Sequence, residues 1–585
     1  MNQNNLRISS RHLLFALALS GAFAGYMPTA HAAVIEHQGD RYIIHVSEME
    51  LNGEESLLDI LQLCPDLITL DGNNVLGGDP FANLYGKYAL RIDNEEYGLD
   101  YTTLLHHLKA REIESIKICH NAEVMKGCTN MKRIIDITLR KHDNSTSGRV
   151  GITGDTYGGG KMIASVLHQQ DKLRILSHVE GSMQRSKNEG ITNHYSHEGA
   201  KFNLVWTPTS KDNLEIDVFQ TYTRNHFTGN LGDYARAYHF QADYLRSLGE
   251  NGSTVLFTLS TEHISDQGGE EDKFYDDYGE MGERYHNHSA YPGGVVEFAF
   301  PLFTKDMWMT AGVEVGFSIE KNCVSQYTNH SNYQDYYAQL DWNLGKWAFM
   351  VGDRYRVLNF NLKQIDALSK HKHTTHNNSY TVSAAYSLTP GNTVQGSFAH
   401  RYYDAEFADF ITAGNDENAW QPVYTNDLNH RMAYISELKH TYSHPNLIVS
   451  SQVQNIHQDI VNGHDNRLGI GSTFFWHTGI LRLTTGFNYY WEKQTQPSLS
   501  IYSNYAIFKL APQLSLADGW RLASNLIWST RRHADTQPYA PANLYAEVGV
   551  YKNFGKHWAV EGRYHDIAGQ HMGNRAATIG ATYYW

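Results

Sequence analysis

Two groups of histidines carry the spacing from which metal sites are built. His286 and His288 form an H-x-H pair, shortly after Asp276, Asp277, Glu280 and Glu283. His371, His373 and His376 form the second group. Imidazoles at alternate, strand-like positions can share a borderline metal such as zinc or copper, or meet a haem iron. Both groups fall where connecting loops are expected, placed to meet a metal complex. The spacing leaves the metal unknown, and the same residues also describe a solvated polar loop.

Other chemistries find less support. Serine and histidine are plentiful, but no G-x-S-x-G or comparable nucleophile motif occurs, so no enzyme is expected. The four cysteines, Cys64, Cys119, Cys128 and Cys323, include no CxxC pair, and nothing calls for a cofactor. Cys119 and Cys128 are close enough in sequence to close a small disulfide loop in an oxidising compartment. The formal net charge of −14 offers no basic footprint for nucleic acid. Trp476, Tyr489, Tyr490 and Trp491 read as interfacial girdle residues, with sugar stacking as the functional alternative.

The elements that position the histidines are strands. From near Arg149 to Trp585, short segments of alternating residues recur about every twenty positions. Trp347, Phe349 and Val351 share one face, and Arg354 and Arg356 the other. Leu544, Ala546, Val548 and Val550 oppose Glu547 and Gly549, and Ala577, Ile579, Ala581, Tyr583 and Trp585 line one face to the terminus. Tight turns, as at Asn343–Lys346 and His477–Gly479, alternate with longer polar loops, as near Asp276, Asn329 and His373. Counting them through the chain predicts a transmembrane all-β barrel of about 22 antiparallel strands, apolar outside and polar inside. Mean hydropathy of −0.48 agrees, because such a strand gives lipid only every second residue.

Two segments precede the barrel. Residues 1–32 read as a signal peptide: Arg7 and Arg11, an apolar run from Leu13 to Leu19, and Ala30-His31-Ala32 with cleavage after Ala32. Residues 33–143 have mixed periodicity. A strand is expected at Tyr42–Val46 and a helix at Glu54–Leu63, ended by Pro65. Further expectations are a strand at Tyr88–Asp93 with a left-handed Asn94, a helix at Thr102–Ala110, and strands at Ile113–Cys119 and Ile134–Leu139. This is a compact α+β unit, and a barrel spanning 147–585 is wide enough to need one as a plug.

The N-terminal unit resembles the plug of TonB-dependent receptors, in particular their Bacteroidetes-type branch. Glu55–Leu67 is similar to the family's first helix, Ile68–Gly72 to the strand and turn after it, Leu90–Asn94 to its "vlIDG" strand, Ile113–Ile118 to "IesIEVi", and Arg133–Lys141 to its last strand. The paired glycines before that strand are replaced by Met131-Lys132-Arg133, and no TonB box is evident between Ala33 and Arg41. The resemblance implies a receptor in the outer membrane of a Gram-negative cell. Its partners would be the lipid bilayer, the barrel-assembly machinery, the TonB complex and a scarce small solute imported to the periplasm. It implies a TonB contact by strand addition, for which Val34, Ile35, Glu36 and His37 are the extended candidates. Glu112, Glu114 and Arg140 are the plug charges expected to latch onto the barrel wall. The alternative is a plugged barrel that no longer transports and serves as a surface adhesin or an envelope partner.

Overall fold

The computed structural model describes residues 35–38, 41–49, 55–61, 68–70, 75–77, 88–93, 95–96, 105, 108–119, 133–140, 144–188, 191–227, 233–268, 285–322, 327–365, 370–403, 411–413, 422–424, 431–460, 463–496, 499–530, 533–534, 543–568 and 575–585. Outside them lie the signal segment, Val34, Cys64, Asn94, Cys128, Asp276, Asp277, Glu280 and Glu283.

The N-terminal strands are β1 (Ile35–Gln38), β2 (Arg41–His45), β3 (Ile68–Leu70), β4 (Val75–Gly77), β5 (Tyr88–Ile92), β6 (Glu95–Glu96), β7 (Ile113–Cys119) and β8 (Arg133–Leu139). Six of them form one sheet in the order β1-β2-β7-β8-β5-β6, with only β5 and β8 parallel. One helix, α1 (Leu57–Leu61), packs on it. Its N-terminus is tied down by backbone bonds from Leu57 to Leu108 and from Ala110 to Glu55. Leu57, Ile60 and Leu61 meet Ile44, Leu90, Ile116, Ile118, Ile135 and Ile137 in a dry core. Among the described residues after β5, Asp93 has a positive φ, 52. Aspartate tolerates this region because its short side chain bonds locally: Asp93 Oδ1 accepts the Leu139 N–H at 3.1 Å.

The remaining chain closes on itself. Twenty-two antiparallel staves run from Ser145–Asp155 to Arg575–Tyr584, and the last pairs with the first from Thr578↔Asp155 to Tyr584↔Arg149. The short strand His533–Ala534 continues the Trp520–Ser529 stave after a break in register and pairs with Ser503 and Asn504. The tight turns expected at Asn343–Lys346 and His477–Gly479 fall between staves. Gly479 adopts φ 43 at the second of them, and at another turn Asp171 takes φ 42 with its N–H held by Asn144 Oδ1. Among the described residues no helix is long and apolar enough to cross a membrane.

Burial is inverted relative to a soluble protein. Ile152, Leu259 and Ile579 are each more than 60% exposed on the outer face, whereas Asp335, Thr381 and Arg401 are almost wholly buried on the inner one. Lipid accepts the first set, and the second is hydrogen-bonded inside. Within the wall, Gly312 and Gly316 lie opposite Tyr337 and Tyr333. A Cβ there would come within 2.4 Å and 2.3 Å of those rings, so the tyrosines lie flat only over glycine.

Candidate functional site

The N-terminal sheet touches staves all around the ring. Glu112 pairs with Arg149 at 3.0 Å and Asp93 with Arg174 at 2.6 Å. Arg41 lies 3.9 Å from Asp341, and the Ile35 N–H donates to Ser443 Oγ at 3.0 Å. Glu55 pairs with Arg482, and the Arg111 guanidinium sits 4.1 Å over the Tyr584 ring. Only an object inside the lumen reaches such widely separated staves at once. Phe219, Ile448 and Phe475 of the wall complete its apolar core. Arg174, Ser443 and Arg482 lie within a few residues of tight turns, so the sheet sits at the turn end of the barrel.

Asp93 lies on that seam, paired with Arg174. Burial pushes its carboxyl up, against the pull of the Arg174 charge and of the Leu139 N–H. A cleft of about 290 Å³ remains at the turn end, lined by Lys109, Trp520, Arg521, Tyr551, Glu561 and Tyr584.

The lumen wall itself is a hydrogen-bonded lattice. Arg354 bridges Glu314, at 2.7 Å, and Asp335, which also pairs with Arg356. The Tyr333 hydroxyl donates to Glu314 at 3.0 Å and the Tyr337 hydroxyl to Glu297 at 2.7 Å. Further round the wall Glu180 holds His197 at 2.9 Å and His178 at 3.2 Å, beside the Lys201–Asp217 pair at 2.9 Å.

The histidine groups stand elsewhere than expected. His286 and His288 belong to the Tyr285–Pro301 stave, not to a loop. They share the outer face with Val296 and Phe298, since all four positions are even. Their rings are 4.0 Å apart, and His286 Nε2 contacts Ser265 Oγ at 3.0 Å and Gln267 Nε2 at 2.9 Å. His371, His373 and His376 likewise belong to a stave, Lys370–Thr389. His371 and His373 face inward with Asn377, while His376 faces outward and bonds Tyr355 at 2.8 Å. The three-residue step from 373 to 376 crosses the strand, so this trio shares no site. The reason for both corrections is that pairing continues past the apolar band, where a loop was expected.

Of the three latch candidates, Glu112 reaches the wall. Glu114 accepts from Ser47, and Arg140 donates to the Ile113 carbonyl, both within the N-terminal unit. Ile35 is buried in β1, Glu36 pairs with His45 at 3.2 Å, and His37 is paired with Tyr42 in the β1–β2 ladder. Cys119 is buried at the end of β7. Tyr490 faces inward against Tyr505 rather than joining the girdle, whereas Tyr489 and Trp491 pack together at 4.3 Å. Sequence reasoning missed Arg149, Arg174 and Arg482. Each is an inward arginine near a stave end, but each partner is remote in sequence.

No family model and no curated protein matches the chain. Solved structures do. The copper transporter OprC aligns with TM-score 0.71 at 10% identity over 96% of this chain and 100% of its own. The siderophore receptor PirA from Acinetobacter baumannii gives 0.69 at 12% identity, over 94% and 98%. The ferric-catecholate import receptor Fiu from E. coli K12 gives 0.66 at 10% identity, over 94% and 97%. At these identities the likeness is one of fold. It is the plugged-barrel fold of the TonB-dependent siderophore and copper receptors, and it singles out no branch of them.

Proposed function

We propose that this chain is an outer-membrane receptor that captures a scarce solute at the cell surface and imports it to the periplasm. The observation that carries this reading is the sheet inside the barrel: a separately cored unit, fastened to the surrounding wall by polar contacts. A dry core keeps such a unit folded, while the ion pairs and hydrogen bonds at its rim are polar contacts that water can replace once the seam opens. It can therefore shift and open a path without unfolding. The cleft beside Lys109 lies where that path would reach the periplasm.

In this reading Glu112–Arg149 is one of the latches, and Ile35–His37, with Val34 before it, is the segment TonB would engage by strand addition. That engagement has to break the β1–β2 ladder or add to the outer edge of β1. The solute remains a class. The siderophore and copper receptors that share the fold make metal chelates and metal ions the first to test.

The built-in state of β1 also favours a second reading, a plugged barrel that does not transport. One experiment separates them. A periplasmic TonB domain is titrated against the detergent-purified chain, with and without residues 34–37, alongside uptake of labelled ferric chelates and copper by cells with and without TonB. Binding lost on deletion, with uptake that needs TonB and proton-motive force, is the expected result. An intact chain that neither binds TonB nor supports energised uptake would overturn the import reading.

A further inference from the structure

One hairpin of the barrel brings metal-ligating side chains together. The Leu447–Ile460 and Gly463–Thr478 staves are joined only by residues 461 and 462, and their ladder is unbroken to the tip. Asp459 faces His464 and His457 faces Asn466, so all four side chains lie on one face. It is the outer face: the series Trp476, Phe474, Ile470 and Leu468 leads up to Asn466 and His464. The apolar residues stop there, which puts the group above the lipid band.

The donor atoms converge. One ring nitrogen from each histidine and a carboxylate oxygen of Asp459 lie within 4.8 Å of one another. His464 Nδ1 is 2.5 Å from Asp459 Oδ1, and the two imidazoles stack with centroids 5.5 Å apart. Asn466 Oδ1 lies 2.5 Å from His457 Nδ1, the outer-sphere contact that leaves Nε2 of that ring as the ligand atom. Asp459 is buried behind the rings, whereas the His464 side chain is 58% exposed, so an ion has a way in.

We propose that His457, Asp459 and His464 form a binding site for a divalent transition-metal ion of the zinc or copper class. Two imidazoles and one carboxylate suit those ions, whereas magnesium and calcium prefer all-oxygen shells. Binding forms two metal–nitrogen bonds and one metal–oxygen bond, and with the metal on His464 Nδ1 the proton of that ring is carried by its Nε2. Three protein ligands keep at least one position open. The ion clips the two staves together at their extracellular tip. The lumen is on the other side of the wall, so this site is separate from the path of an imported solute and does not depend on the import reading.

The test is calorimetric titration of the detergent-purified full chain with Zn²⁺, and with Mg²⁺ as the hard-ion control. Heat-modifiable migration in gels reports whether each variant is a folded barrel. Wild type is expected to bind zinc at this site and to ignore magnesium there. His457→Asn combined with His464→Asn should lose one equivalent. Asp459→Asn, nearly the same shape, should weaken that equivalent at least about tenfold. His286→Asn with His288→Asn should retain it. If wild type shows no stoichiometric zinc binding, or if folded Asp459→Asn binds zinc as wild type does, the assignment is wrong.

Discussion

The plug sheet and the barrel wall are built from opposite solutions to the same problem. In the sheet, Leu57, Ile60, Ile116 and Ile135 meet in a dry centre, and charge lies at the rim. In the wall, Ile152 and Ile579 point outward while Asp335 is buried against Arg354 and Lys201 against Asp217. Burial therefore means an apolar neighbourhood in one region and an ion-paired one in the other. The seam between them belongs to the second kind, and there a single buried charge left without its partner costs most.

The sharpest way to break this comparison is at the seam. Arg482→Ala leaves Glu55, 2% exposed, without its guanidinium, and should cost about 3–5 kcal/mol of plug stability. Denaturant titration that separates plug release from barrel unfolding checks it. A loss no larger than that of a surface substitution would show the seam to be wet. Within the wall, Gly312→Val drives a side chain into the Tyr337 ring and displaces its hydroxyl from Glu297. Overpacking of this kind should cost about 1–3 kcal/mol, read as a lower melting temperature of the barrel.

A smaller effect should come from pH at Asp93. Its carboxyl is raised, first by burial, so the folded chain holds that proton more tightly than the unfolded chain. The group's contribution to folding is then greatest at acid pH and is lost as pH rises through its folded value. Relative to Asp93→Asn, wild type should gain stability as pH falls from about 7 towards the carboxylate range. Melting curves of both proteins across that range decide it, and a difference that moves the other way would mean that the Arg174 charge outweighs burial. The smallest effect belongs to Glu114→Ala, which breaks one exposed bond to Ser47 inside the N-terminal unit. It should change stability by less than about 0.5 kcal/mol in the same titration, setting the baseline for Arg482→Ala.

Much of the molecule was legible in its residues. Period-two alternation and the spacing of turns are local, so they gave the strand count and the inward face of Arg354 and Arg356. The motif run from Glu55 to Lys141 pointed to the plug. Parity also contained a correction that loop-based reasoning overlooked: an odd step from His373 to His376 has to split the group between two faces. Asp93 takes a positive φ directly before Asn94, the position the sequence singled out, and aspartate suits such a turn as asparagine does.

The sequence by itself thus determined which residues alternate, where the chain turns and which segment forms the plug, since each follows from backbone geometry over a few residues. Tertiary structure alone decided what meets across the closure. Glu55 and Arg482 are 427 positions apart, and Asp93 and Arg174 are 81. His457, Asp459 and His464 converge only because their hairpin keeps its register to the tip. Register and closure depend on how every stave packs on its neighbours and around the plug, and no local pattern carries that sum.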